Sequence, residues 1–201
     1  MERMDKLACI DLEGVLVPEL WPAIAVRTGI KELFATTREI PDYEALMRQR
    51  IVLLRKHGIT LSELQRILVA IEPFTGALSF LQTLEANGYR VNIISDCFHE
   101  LAAPLLHKLG EPTILCHHLT VDNEGIVSGC DYYPRKGKED HVNEALAQGQ
   151  QVVAVGDAFN DLNMLRRASQ GFLVNPSIST LNAASDVRVV ESLEEILELI
   201  S

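Results

Sequence analysis

The sequence predicts a doubly wound, Rossmann-like α/β fold with a parallel sheet, helices on both faces, and a small helical cap inserted after the first strand. Three observations predict it. Short apolar runs alternate with amphipathic segments of helical period. The richer runs are apolar at consecutive positions, which suits strands covered on both faces. One long stretch, residues 18–72, breaks the alternation and offers helical patterns without a convincing strand.

The elements follow in order. "KLACID" reads as the first strand and ends on Asp11 and Glu13, with Gly14 beside them. The interrupting stretch contains "DYEALMRQRIVLLRKHG" and "TLSELQRILVAI". In the second of these, Thr60 and Glu63 have capping-box spacing, and Leu61, Leu64, Ile67, Leu68 and Ile71 recur at helical intervals. "TGALSFLQTLEANG" is a helix with Thr75 as expected N-cap, Leu78, Leu81 and Leu84 on one side, and Gly88 as its stop. The runs "YRVNIIS", "PTILC", "QVVAVGD", "GFLV" and "DVRVV" read as further strands. "LTVDNEGIVSG" alternates weakly around a turn and reads as a hairpin, and "SLEEILELI" opens with Ser192 and Glu195 in capping-box spacing. The expected division is a core of residues 1–17 and 73–201, a helical cap of residues 18–72, and a hairpin at residues 117–130 within the core.

Composition narrows the function. The chain has 201 residues, 47% hydrophobic and 23% charged, enough for a large core with a small appendage. A net charge of -10 argues against a nucleic-acid partner, because phosphate backbones are bound through an excess of Lys and Arg. It does not exclude a small phosphorylated substrate, since a bound cation reverses the local charge. No segment has the roughly 18 uninterrupted apolar residues of a spanning helix, and the N-terminus lacks a signal-peptide pattern. Cys9, Cys97, Cys116 and Cys130 show no paired metal spacing, so reduced thiols in a cytoplasmic protein are expected. Cys116, His117 and His118 are adjacent, and neighbours on an extended segment face opposite ways, so no metal site is expected from that triplet.

Four strand ends carry polar residues of complementary kinds. They are Asp11 with Glu13, Ser95 with Asp96, Lys136 with Lys138 ahead of a helix, and Asp157 with Asn160 and Asp161. Singly, each has an ordinary explanation as a cap, a turn residue or a solvated lysine. In an open α/β sheet, however, all four fall at one edge, the carboxyl ends of the strands. Carboxylates, a hydroxyl, an ammonium and a helix start are the equipment of phosphoryl transfer, which is mostly positioning and charge neutralisation. A carboxylate can be the nucleophile. Two anions approach only with a cation between them, and Mg²⁺ suits an all-oxygen site.

The order of "DLEGV", the Ser95 strand end, the lysine before a helix and "GDAFND" resembles the four motifs of haloacid dehalogenase-like phosphatases over residues 9–161. That superfamily usually has Asp where this chain has Glu13. The insertion and "DYEALMRQRIVLL" are similar to the cap of the phosphoserine phosphatase branch. "DLEG" and "SDCF" look closer to its bifunctional phosphoserine phosphatase and homoserine phosphotransferase members. The resemblance implies a Mg²⁺-dependent phosphomonoesterase or phosphotransferase acting on phosphoserine through an aspartyl-phosphate. It implies Asp11 as nucleophile, Glu13 as general acid and base, and Ser95 and Lys138 at the phosphoryl group, with Lys136 the alternative lysine. Metal ligands would be Asp11, the backbone carbonyl of Glu13, Asp157 and Asp161. Asn160 would lie close to the phosphoryl group, Arg50 would bind the substrate carboxylate with Tyr43 lining the same pocket, and Asp96 would be a further substrate-binding residue. The position expected to hold a glutamate for the substrate ammonium is Leu20, with Glu19 adjacent. The expected partner is a small phosphorylated amino acid, with no nucleic acid or membrane, for a monomer or homodimer. Competing readings are a capped phosphatase for another metabolite, a phospho-acceptor domain, and a non-catalytic Mg²⁺-binding module.

Overall fold

In the computed structural model, which describes residues 5–37, 39–40, 42–133 and 137–201, the first apolar run becomes β1 (Lys6–Ile10), the centre of a seven-stranded sheet. It pairs in parallel with β2 (Tyr89–Phe98) on one side and β5 (Gln151–Gly156) on the other. β3 (Thr113–Val121) adds in parallel beyond β2, and β6 (Gln170–Val174) and β7 (Arg188–Val190) extend the opposite side. The antiparallel edge strand β4 (Val127–Asp131) gives the order β4-β3-β2-β1-β5-β6-β7. The register sets Ile10 opposite both Ile93 and Val155, so β1 and β5 end nearly level while β2 runs on to Phe98.

Successive side chains of a strand face opposite ways, and β1 has an apolar layer on each side. Ala8 and Ile10 join one cluster with Phe80, Leu84, Leu101, Leu105 and Ile196. Leu7 and Cys9 join the other with Val142, Leu162, Leu165 and Leu173. Helices α4 (Ala77–Ala86), α5 (His99–Lys108) and α9 (Leu193–Ile200) therefore cover one face. Helices α6 (Glu139–Ala147) and α7 (Leu162–Arg167) cover the other, and the short α8 (Ile178–Ala183) lies between β6 and β7. This is the doubly wound arrangement that the alternating pattern predicts.

Between β1 and α4 the chain forms α1 (Leu20–Thr28), a 3₁₀ turn at Lys31–Phe34, α2 (Tyr43–Lys56) and α3 (Leu61–Val69). Thr60 and Glu63 form the full reciprocal capping box, and Asp42 caps α2 by accepting from Ala45 N–H. The inserted helices are tied back to the sheet layer at several points. Lys108 Nζ donates to the carbonyls of Val69 and Ile71, both at 2.8 Å. Gln65 donates to the Glu100 carbonyl at 2.9 Å, and Leu61 N–H to the Gly125 carbonyl at 2.9 Å. At the hairpin turn, Asp122 Oδ1 accepts from Glu124 and Ile126 N–H, both at 3.0 Å.

Three local readings need correction. Thr75 does not cap α4: the N-cap is Gly76 at φ 87°, a left-handed turn that no side chain caps. Leu78 is exposed, and Phe80 takes its place beside Leu81 and Leu84 in the core. Ser192 does accept from Glu195 N–H at 3.3 Å, but the Glu195 carboxylate returns to Glu191 N–H, one residue earlier than a capping box requires.

An N-cap hydroxyl that satisfies a helix-start N–H contributes about 1 kcal/mol. Thr60→Ala, which removes it from α3, should lower unfolding free energy by about that much in urea titration. Gly171→Ala should cost more, since the new Cβ would lie 2.2 Å from the Leu165 carbonyl oxygen, a backbone atom.

Candidate active site

The shared register of β1, β2 and β5 sets the motif residues at one edge of the sheet. Asp11 N–H bonds the Val155 carbonyl at 2.9 Å, extending the β1–β5 ladder one residue and fixing the Asp11 backbone. Asp11 Oδ1 accepts from Leu12 N–H at 2.8 Å and from Lys138 Nζ at 2.9 Å. Lys138, the residue before α6, is buried and also donates to Asp161 Oδ1 at 2.7 Å. Asp161 is wholly buried; its Oδ2 accepts from Asp157 and Ala158 N–H, both at 3.1 Å. Ligand oxygens of Asp11, Asp157 and Asp161 all lie within 4.8 Å of one another. Gly14, at φ 80°, is required here: a Cβ on it would sit 2.2 Å from Asp157 Oδ2.

The electrostatics follow from burial and crowding. Burial, then the charge of Asp161, pushes Asp11 well above the usual carboxylate range, against the pull of Lys138. Burial, then Asp161 and Glu19, raises Asp157 to about 7. Desolvation works against the Lys138 ammonium, but Asp11 and Asp161 outweigh it and raise its pKa. Glu13 is raised by burial and then by Glu19, while its Oε2 accepts from Leu20 N–H at 2.8 Å.

On the side of the insertion, the Arg50 guanidinium is buried over the Trp21 ring, 4.3 Å from its centroid. Nη2 donates to the Ala35 carbonyl at 3.0 Å, Nη1 lies 3.5 Å from Met47 Sδ, and Nε has no hydrogen-bond partner among the described residues. Desolvation lowers its pKa to about 10, opposed by Tyr43, Glu13 and Glu19. Asp96 joins the two sides: its backbone carbonyl accepts from the Tyr43 hydroxyl, and its Oδ2 accepts from Asn160 Nδ2 at 2.9 Å. Tyr43 packs among Phe98, His117 and Tyr132.

The model for the haloacid dehalogenase-like hydrolase family matches residues 8–166, a span that contains every strand-end group just described. The chain belongs to this family. It is 39% identical over 191 residues to phosphoserine phosphatase ThrH of Pseudomonas aeruginosa, covering 95% of this chain and 93% of the relative. It is 38% identical to a phosphoserine phosphatase of Pseudomonas syringae pv. tomato, covering 95% and 80%. A solved phospho-aspartyl intermediate analogue of phosphoserine phosphatase superposes with a TM-score of 0.78, covering 99% of this chain and 100% of that one. At 22% identity that likeness is one of fold.

For this haloacid dehalogenase-like hydrolase, the sequence-predicted residues divide into two groups. Asp11, Lys138, Asp157 and Asp161 share one cluster, with Glu13 beside it. Ser95 is buried on β2, accepting from Cys97 N–H at 3.2 Å, and does not cap α5, whose N-cap is Phe98. Arg50 and Tyr43 come from α2 and are near enough to Glu13 to feel its charge. Lys136 lies outside the described residues. Leu20 is buried and is not at hand for a ligand, whereas Glu19 is near enough to raise both Glu13 and Asp157. Sequence reasoning missed Trp21, His117 and Tyr132. Only the lone tryptophan near Glu19 offered a signal for the first, and the hairpin's return toward the sheet for the others. A surface groove of about 430 Å³ lined by Arg27, Ile59, Glu63 and Ile67 contains none of these residues.

Removing one member of a buried ion cluster leaves its partners uncompensated, at about 3–5 kcal/mol. Lys138→Met should therefore lower stability by that order in urea at neutral pH, and Lys138→Met with Asp161→Asn should recover part of the loss. A single-variant loss below about 1 kcal/mol would mean that Lys138 does not hold the cluster.

Proposed function

We propose that this hydrolase is a metal-dependent phosphoserine phosphatase working through an aspartyl-phosphate on Asp11, and that it also transfers the phosphoryl group to homoserine. One observation carries the reading: Asp11 lies against the Lys138 ammonium, among three acids, in a chain 39% identical to a phosphoserine phosphatase. Oδ1 of Asp11 takes both hydrogen bonds, which leaves Oδ2 as the attacking oxygen. It forms a bond to phosphorus as the phosphorus–serine oxygen bond breaks. Burial and Glu19 hold Glu13 toward its protonated form, which suits the acid that protonates the departing oxygen. Glu13 then takes a proton from water, or from the homoserine hydroxyl, as that oxygen attacks phosphorus and frees Asp11. Lys138 offsets charge on the transferring group, and Ser95 hydrogen-bonds one of its oxygens.

The acids fit a hard divalent cation. Asp11, Asp157 and Asp161 offer oxygen alone within 4.8 Å, and burial penalises the negative charge they carry. We assign them, with the Glu13 backbone carbonyl, to Mg²⁺. When bound, it would neutralise charge between the phosphoryl oxygens and the nucleophile.

The substrate reading rests on Arg50 within a cap of residues 18–72. Its buried, partly unpartnered guanidinium suits a carboxylate held in bidentate fashion. Glu19 is the group we assign to the substrate ammonium, and Tyr43, Asp96 and Asn160 form the adjoining wall. One methylene separates homoserine from serine, and a pocket discriminates a methylene by only ~1–3 kcal/mol. All these groups come from one chain, so a monomer or a homodimer serves equally, and neither nucleic acid nor membrane enters the reaction. No helix among the described residues is long and apolar enough to cross a membrane, and the four cysteines are free thiols, which supports a cytoplasmic setting.

Arg50→Ala should raise KM for phosphoserine by about 10–100-fold, the worth of a charged hydrogen-bond pair, and barely change it for a phosphate ester lacking the carboxylate. Equal effects on both esters would remove Arg50 from carboxylate binding. With phosphoserine, Mg²⁺ and homoserine, ³¹P NMR should show both inorganic phosphate and phosphohomoserine, and neither with Asp11→Asn or after EDTA. Phosphate alone at saturating homoserine would exclude transfer and leave the phosphatase.

A further inference from the structure

Cys116, His117 and His118 do not converge on one point, as the sequence predicts. Cys116 and His117 are buried, and His117 Nδ1 accepts from Tyr133 N–H at 2.9 Å. His118 instead turns outward, toward the first residues of α5. There His118 Nδ1 lies 2.9 Å from Glu100 Oε1, and Glu100 Oε2 accepts from Leu119 N–H at 2.7 Å. The His99 ring stacks on the His118 ring, with centroids 5.4 Å apart and planes 28° from parallel.

An ion pair between His118 and Glu100 would not call for a second imidazole. Here two rings and a carboxylate crowd together, and their ligand atoms all lie within 4.8 Å of one another. Glu100 is already oriented by its backbone bond to Leu119, so one donor is held in place in advance. The 2.9 Å between His118 Nδ1 and Glu100 Oε1 is close to the roughly 3.3 Å edge of a tetrahedron with bonds of about 2.0–2.1 Å. His99 is exposed and free to complete the set by rotating its side chain.

We propose that His99, Glu100 and His118 form a binding site for a borderline divalent transition metal such as zinc or cobalt. It is separate from the acidic cluster and keeps one position for solvent. Two imidazole nitrogens and one carboxylate oxygen suit such ions rather than Mg²⁺, which favours oxygen alone. The ion takes the place of the proton between His118 Nδ1 and Glu100 Oε1; a neutral ring then carries that proton on Nε2, and an imidazolium releases its second proton to solvent. Binding ties the start of α5, and through Phe98 the last residues of β2 with Ser95 and Asp96, to β3.

The test is Co²⁺ titration of the untagged protein in excess Mg²⁺, read by visible absorbance and calorimetry. One Co²⁺ per chain is expected. His99→Ala and His118→Ala should each weaken it at least tenfold, Glu100→Gln should weaken it by about 10–100-fold, and Asp157→Asn should leave it unchanged. Binding that survives the double histidine variant, or is lost in Asp157→Asn, would move the ion elsewhere and overturn the site. So would the absence of saturable binding in excess Mg²⁺.

Discussion

Asp11 and Asp161 follow neighbouring strands and reach one buried ammonium, Lys138, at 2.9 and 2.7 Å. At an effective dielectric of about 20 each contact is worth on the order of 6 kcal/mol. Removing each ion from water costs several kcal/mol, so the cluster adds little net stability. Its effect is geometric. The start of α6, the end of β1 and the turn after β5 are locked to one point, and Asp157 is drawn to the same place through the Asp161 carboxylate. Gly14 has no side chain because Asp157 occupies that space. Among the described residues one ammonium meets this group of three acids, which leaves a negative surplus. This would reconcile an acidic chain with the anionic substrate proposed for it, because the surplus is what a cation would fill.

Much of this edge was legible because the hydrophobic runs that mark strands, and the polar residues that follow them, are local properties of the sequence. Consecutive apolar positions in "KLACI" and "QVVAV" identify covered strands, and parallel strands in an open sheet present their carboxyl ends on one side. Asp11, Ser95, Lys138 and Asp157 could therefore be grouped before any geometry. What could not be read depends on register or on competition between neighbouring turns. Thr75 has the chemistry of a cap, but the left-handed turn at Gly76 moves the helix start beyond its reach. Ser95 and Asp96 precede a helix, yet β2 continues through Phe98 and leaves them inside the strand. His99 and His118 lie on separate elements whose meeting is set by the β2–β3 pairing, with its irregularity between Ile94 and Phe98. Spacing alone carries no trace of that contact.

The unequal acids after β1 show how the core and the inserted helices are connected. Glu13 Oε2 accepts from Leu20 N–H, the first backbone donor of α1. Such helix-start donors have no partner within the helix and favour a negative group. An aspartate at position 13 would fall about 1.5 Å short of the same donor, one carbon–carbon bond less of reach. The longer side chain thus links the core's reactive edge to the first helix of the insertion, while the Tyr43 hydroxyl links α2 to the Asp96 carbonyl. The far end of the insertion is held independently, by Lys108 on the last carbonyl of α3, that of Val69, and on the Ile71 carbonyl just beyond it. Motion of α1 relative to the sheet would therefore be felt first at the Glu13 carboxyl. Leu20 N–H opposes the rise in its pKa that burial and Glu19 cause. Losing that bond would favour the protonated form, so the position of the insertion and the proton on Glu13 are coupled through one hydrogen bond.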